Sequence, residues 1–211
     1  MDFEKLTELI IELEVDDIEA AVKEALEADG KDPFDIMNAL TKGMDEVGRR
    51  YEEKEYYLTE LVLAGETMKE AFKVLQPALA ASDQSVDKIK IIIGTVKGDN
   101  HDIGKNILGS LLLSNGFEIY DLGMDVDENT IIEKVKETGA DIVALSSLLT
   151  MTVEQIKVVH DALIAAGLRD SVKLIVGGAP LNMELAKKLG ADLFADDAVS
   201  GVKIIKEAFG K

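Results

Sequence analysis

The sequence predicts an α/β protein in two parts, an N-terminal four-helix bundle followed by a flavodoxin-like (Rossmann-like), doubly wound sheet of five parallel strands. Two observations carry this. Across residues 1–80 the apolar positions recur only at helical spacing, and from about residue 89 short β-branched runs alternate with helical stretches. At 211 residues the chain is long enough for both parts to bury a core.

In the first part, Phe3, Leu6, Ile10 and Leu13 mark one helix. Asp16 or Asp17 caps a second, from Ile18 to Ala28, which ends at Gly30. Asp32 before Pro33 reads as an N-cap with proline at the first helical position. Phe34, Met37, Leu40, Met44 and Val47 then form the buried stripe of a third helix. A fourth runs from about Leu58 to Gln76, with Leu61, Ala64, Gly65, Met68, Ala71, Phe72 and Leu75 facing inward and Pro77 stopping it. Four helices joined by short loops make a bundle.

In the second part, strands are predicted over 89–96, 117–122, 141–146, 172–176 and 192–195. Helices near 103–114, 128–138, 152–166, 181–189 and 197–209 separate them. Five βα units predict a parallel sheet covered on both faces. Residues 81–87 lie in a small, polar, unpatterned stretch and read as a linker, giving domains over 1–80 and 88–211.

Composition narrows the functional classes. With 41 acidic against 23 basic side chains the net charge is -18, the wrong sign for tracking a phosphate backbone, so nucleic acid is not an expected partner. Residues 1–80 hold 21 of the acids and 9 of the bases; solvated helix faces account for such charge, and a docking surface for a basic partner is the alternative. Cysteine is absent, which excludes disulfides, thiolate metal sites and a cysteine nucleophile. Without a long apolar run or a basic-then-apolar leader, the chain reads as a soluble cytoplasmic protein with no membrane partner.

Ligands of an open doubly wound sheet bind outside the carboxyl ends of the strands, where strand order reverses; for this order that is between the first and third strands. The loops there are Lys97 to Gly104 and Ser146 to Thr152, and Gly177-Gly178-Ala179-Pro180 follows the fourth strand. A strand, a glycine-bounded loop and a helix put His101 at this edge, with Asp99 two residues away and able to hold its ring. Each feature alone is ordinary. A lone loop histidine, a tight glycine turn, or strand-end hydroxyls at Ser146 and Thr150 need no ligand, and His160, inside a helix, reads as a packing residue. Their coincidence at one sheet edge is the informative feature.

Taken together, Asp99-x-His101-x-x-Gly104, Ser146-x-Leu148 beginning 42 residues after Gly104, and Gly177-Gly178 resemble the three motifs of the cobalamin-binding domain in the methionine synthase and methyltransferase corrinoid-protein family. The stretch from Glu55 to Val62, followed by Met68-Lys69-Glu70-Ala71, is similar to the last helix of that family's helical cap, so the resemblance covers nearly the whole chain. In length and layout the chain is similar to the small corrinoid subunits of methylamine, methanol and methoxyarene methyltransferase systems.

The resemblance implies a cofactor, cobalamin or a related corrinoid, carried as methylcobalamin when loaded. It implies that His101 displaces the cofactor's benzimidazole and becomes the lower axial ligand of cobalt. Asp99 then fixes the ring tautomer, and Thr152 supplies the hydroxyl that completes the triad. The displaced nucleotide tail enters a slot lined by Gly104, Ser146, Leu148, Thr150, Gly177 and Gly178. Asp102, Ile103 and Ala179 flank it, and Asp197, after the last strand, meets the tail. Glycine at these positions lets backbone approach a bulky ligand. In the cap, Tyr56, Tyr57, Leu61 and Ala64 shield the upper cobalt face.

The implied function is methyl carriage. A substrate-specific methyltransferase loads a methyl group onto Co(I), and a second methyltransferase takes it from methyl-Co(III) to a thiol coenzyme or tetrahydropterin. A reductive activase is a further implied partner. No barrel of roughly 250 residues is present to house a substrate enzyme, so the chain is not expected to catalyse alone. Alternatives are a cobalamin-dependent sensor or regulator, which needs an output module, and the cobalamin-binding subunit of a mutase, which shares the first motif but is disfavoured by the cap. A receiver domain needs an aspartate at the end of the third strand, where this chain has Ser146-Ser147.

Overall fold

A computed structural model of the protein describes residues 3–27, 32–81 and 89–210. The chain folds as two compact units, the first built on the N-terminal helices and the second on the βα units that follow.

The first unit contains α1 (Phe3–Ile11), α2 (Val15–Glu27), α3 (Pro33–Glu52) and α4 (Leu58–Ala81). At the start of α3 the Asp32 carboxylate accepts from the Phe34 N–H at 2.9 Å, and Pro33 occupies a position where no N–H is needed. Ile36, Met37, Leu40, Met44 and Val47 are buried along α3, while Phe34 is only half-buried. Gly43 sets the α1–α3 spacing, because a Cβ there would fall 2.7 Å from the Ile10 Cβ and 2.8 Å from the Thr7 carbonyl oxygen.

Three boundaries differ from the periodicity. Leu13 lies beyond α1 with φ of 64° and reverses the chain rather than extending the stripe. Asp16 and Asp17 lie inside the first turn of α2, where their charge complements the helix dipole, and the Glu14 carbonyl accepts the first helical bonds. Helix α4 runs through Pro77 to Ala81. Proline removes one intrahelical bond, but buried Leu75 and Leu79 continue the apolar stripe across it, and that packing carries the helix on. Gly30 and linker residues 82–87 lie outside the described residues, and Ala81 ends α4.

The second unit is a parallel sheet of order β2-β1-β3-β4-β5. Its strands are β1 (Lys90–Thr95), β2 (Glu118–Asp121), β3 (Ile142–Ser146), β4 (Lys173–Gly177) and β5 (Leu193–Ala195). Helices α5 (Ile103–Ser114), α6 (Glu128–Thr138), α7 (Glu154–Ala165), α8 (Met183–Lys188) and α9 (Ala198–Phe209) connect or follow them. On one face Ile92, Val143, Leu174 and Phe194 pack with Ile131, Val135, Ile156, Leu163 and Ala186 of α6 to α8. The opposite face meets α5 and α9. A Cβ on Gly109 would touch Ile93 Cδ1 at 2.7 Å, and one on Gly201 would meet both Leu108 and Ala195. The switch in strand order falls between β1 and β3, so their following loops share one edge.

His160 is a packing residue. Its Nδ1 accepts from Arg169 Nε at 2.9 Å, Arg169 also reaches the Gly190 carbonyl and Asp192, and the ring sits where a side chain on Gly190 would be.

Candidate functional site: a carboxylate-anchored histidine above an apolar cavity

Strand β1 ends at Thr95 and the chain loops to α5 through residues 96–102. Thr95 turns its hydroxyl to donate to the His101 carbonyl at 2.9 Å. Gly98, at φ of 79°, donates its N–H to Asp125 Oδ1 at 2.7 Å, and the Asp125 N–H returns a bond to the Asp99 carbonyl at 3.0 Å. The loop is thus fastened at both sides of Asp99.

Asp99 is fully buried and its two oxygens divide the work. Oδ1 accepts from the His101 backbone N–H at 3.1 Å and meets the ring Nδ1 at 2.7 Å. Oδ2 accepts from the backbone N–H groups of Leu148 at 2.7 Å and Leu149 at 3.1 Å, and from the Thr152 hydroxyl at 2.9 Å. Burial pushes the Asp99 pKa up, but bonds from the His101 ring, the two amides and Thr152 outweigh it and hold the carboxyl well below the usual carboxylate range. An ionised Asp99 accepts Nδ1–H, so the neutral ring presents an unprotonated Nε2 on the opposite side. The His101 side chain is half exposed, whereas its anchor has no exposure at all.

Below the imidazole lies a cavity of about 410 Å³. His101, Asp102, Ile103 and Gly104 line it from the first loop, Ser146 and Leu148 from the end of β3, Gly177 and Gly178 from the end of β4, and Asp197 from the start of α9. Asp197 is also the N-cap of α9, accepting from the Ser200 N–H at 2.8 Å. Asp99 and Thr152 stand behind the histidine rather than in the cavity. Thr150 and Ala179 are exposed and do not line it. The turn closed by Thr152 N–H to the Leu149 carbonyl sends Thr150 outward, and Ala179 sits in the turn closed by Leu181 N–H to the Gly178 carbonyl.

The three glycines have separate reasons. A Cβ on Gly104 would meet nothing within 4 Å, so the missing side chain leaves open space beside the histidine. Gly178, at φ of 135°, passes so close to β3 that a Cβ would lie 1.8 Å from the Ser147 carbonyl oxygen. Its requirement is backbone packing, not room for a ligand. At Gly177 a Cβ would come 3.1 Å from the Ala195 carbonyl oxygen.

Two further residues belong to the site without being flagged by the motifs. Ser147 is fully buried and its hydroxyl lies 2.9 Å from Thr152 Oγ1, extending the chain behind Asp99. The signal was strand alternation: with Ser146 facing the cavity, Ser147 must face the other way. Lys105 is buried along the cavity wall, its ammonium held by both Asp121 oxygens at 2.6 and 2.7 Å and by Asn106 Oδ1 at 2.7 Å.

The segments that carry the imidazole and its anchor expose apolar side chains. Ile103, Leu148, Leu149 and Met151 are exposed, Met151 by 82%. Among the described residues no group of three or more His, Cys, Asp or Glu is placed to hold a bare metal ion. A metal meeting His101 would therefore bring most of its ligands with it, as a macrocycle does. One imidazole backed by a carboxylate, exposed apolar side chains and an open cavity fit such a group.

In the first unit, Tyr56 is tied down locally: its hydroxyl donates to the Ile11 carbonyl at 2.8 Å, accepts from Arg50 at 2.9 Å, and its ring lies under the Arg50 guanidinium. Leu61 and Ala64 are buried with the core stripe of α4, whereas Tyr57 is 66% exposed beside exposed Leu58, Val62 and Leu63.

Two family models, each described as B12 binding domain, match this chain, one over residues 89–203 and the other over residues 2–76. Trimethylamine corrinoid protein 2 of Methanosarcina acetivorans is 41% identical over 97% of this chain and 94% of its own length. A cobalamin-binding protein from Desulfitobacterium hafniense, solved by crystallography, is 37% identical, covers 98% of both chains and superposes with a TM-score of 0.78. The methanol:cobalamin methyltransferase complex MtaBC from Methanosarcina barkeri contains a chain 28% identical, matched over 97% of this chain and 78% of that one with a TM-score of 0.84. With its helical unit, its five-stranded sheet and its anchored histidine all inside these matches, the chain belongs to the B12-binding family of corrinoid proteins.

Proposed function

We propose that this protein is a corrinoid methyl carrier, in which His101 provides the lower axial ligand, the cavity takes the detached nucleotide tail, and two separate methyltransferases load and unload the methyl group. The observation that carries this reading is the fully buried Asp99, whose carboxylate holds the His101 ring by Nδ1 and leaves Nε2 free beside the cavity that His101 lines. When bound, the corrinoid supplies a cobalt centre that takes up and releases the methyl group. The protein's part is orientation and shielding. Asp99, itself oriented by Leu148, Leu149 and Thr152, keeps the histidine in one tautomer and fixes its donor strength. Exposed Ile103, Leu148 and Met151, on the segments that carry the histidine and its anchor, offer apolar support.

Exposed Tyr57 and the start of α4 that follows it, with Leu58 and Val62, fit the shielding role of a cap, and Leu61 supports that role from within the helix core. Partner choice follows the relatives: some are named dimethylamine or trimethylamine corrinoid proteins, and one solved relative belongs to a methanol:cobalamin methyltransferase complex, which favours a methyl donor chosen by a partner methyltransferase. A reductive activase is the third partner of this reading.

The experiment separates carriage from catalysis. The reduced, corrinoid-loaded chain is incubated with a cognate methyltransferase and donor, then with a second methyltransferase and acceptor. Both half-reactions should proceed, and neither should proceed efficiently with the carrier alone. Efficient turnover without partners would make the chain an enzyme in its own right and overturn the reading.

A further inference from the structure

Resting on the corrinoid reading above, we infer that the cavity also selects the chemistry of the base that ends the cofactor's tail, accepting an apolar-edged benzimidazole and rejecting a purine. The tail is tethered at the histidine end, so its terminal base reaches furthest into the cavity.

The cavity is polar at its more exposed end, where Asp102, Ser146 and Asp197 lie, and apolar at its buried end. There Ile93, Ala144 and Ile175 stand in register across β1, β3 and β4, with Leu108 of α5 also lining the cavity. Gly201 brings α9 against that helix, since a Cβ there would lie 3.1 Å from Leu108 Cδ1. The backbone of these three strand positions is engaged in the parallel ladders and offers no spare donor or acceptor. Lys105 lines the wall as well, but its three ammonium protons face three acceptors, the two Asp121 oxygens and Asn106 Oδ1, so only its methylenes are presented.

A purine carries ring nitrogens and, in adenine, an exocyclic amine on its outer edge. In an apolar end these groups lose water and gain no partner, a cost that a dimethylated benzimidazole edge avoids. Ala144, small between two isoleucines, gives the base its room.

The test titrates the full-length apo-protein with three corrinoids, following absorbance or heat: cobalamin with its dimethylbenzimidazole base, the analogue carrying adenine, and cobinamide, which has no base. Cobalamin should bind at least about tenfold more tightly than the adenine analogue, by the cost of unpaired polar groups. Ala144→Ser, which supplies a hydroxyl at the buried end, should narrow that gap. Equal affinities for the two bases, an unchanged gap in the variant, or cobinamide binding as tightly as cobalamin would each overturn the inference and leave the carrier reading standing. Failure of all three to bind the folded protein would overturn the carrier reading and the inference with it.

Discussion

Asp99 satisfies five donors at once, which takes both oxygens of a carboxylate. The two oxygens of a carboxylate accept from the His101 backbone and ring on one side and from Leu148, Leu149 and Thr152 on the other. Asparagine is nearly the same shape but turns an NH₂ group toward one of these sets, donor against donor. Asp99→Asn should therefore shift the Co(II)/Co(I) potential of the bound corrinoid and cost roughly 10-fold to 100-fold in affinity or activity. An unchanged potential would remove Asp99 from the ligation. The same carboxylate links stability to pH. Its pKa is depressed in the folded state, so its stabilisation is complete above the unfolded value of about 4 and is lost as pH falls below it. Melting temperatures should show wild type and Asp99→Asn converging in acid and separating near neutrality.

Glycine supplies the contrast between structure and site at the same scale. Gly178→Ala puts a Cβ into the Ser147 carbonyl at a φ of 135° and should cost at least about 2 kcal/mol in denaturant unfolding. Gly104→Leu meets open space, should change stability by no more than about 0.5 kcal/mol, and should still weaken corrinoid binding by filling the room beside His101.

Among the elements, the strand-loop-helix junctions define the site, and they were the most legible part of the sequence. The limits of α5 and α6 follow directly from the pattern, because Asp127 caps α6 through Asn129 and Thr130 and Gly139 ends it in the left-handed region. His101 with Asp99 was legible for the same local reason, two residues apart in one loop. What pattern alone misses is non-local. Pro77 reads as a stop because local chemistry makes it one, and only the burial of Leu79 reverses that. Thr150 and Ala179 follow closely on family motifs and are implied to line or flank the slot, but the turns that hold Leu149 and Gly178 send them to solvent. Gly178 reads as ligand clearance until the close approach of the Ser147 carbonyl, just past the paired ends of β3 and β4, gives it another purpose. Within the bundle, Gly43→Ala should push α1 and α3 apart and lower stability by about 1–3 kcal/mol, measured by chemical denaturation, since both Ile10 Cβ and the Thr7 carbonyl block the added methyl.

For the whole molecule, charge and covering set the behaviour. A net charge of -18 steers encounters toward basic partner surfaces, so the rate of methyl loading should fall as salt rises. No described helix is long and apolar enough to cross a membrane. If Tyr57 and the start of α4 shield the bound methyl group, Tyr57→Ser in the full-length protein should speed photolysis of bound methylcobalamin without altering its affinity. Equal photolysis rates would mean that Tyr57 shields nothing. All of these expectations depend on the histidine occupying the lower face of cobalt. That is measured most directly by electron paramagnetic resonance of the Co(II) protein prepared with isotopically labelled histidine. The account predicts that the axial nitrogen splitting changes with the label in wild type and that this labelled coupling is absent from His101→Ala; a splitting indifferent to the label, arising from the cofactor's own benzimidazole, would contradict it.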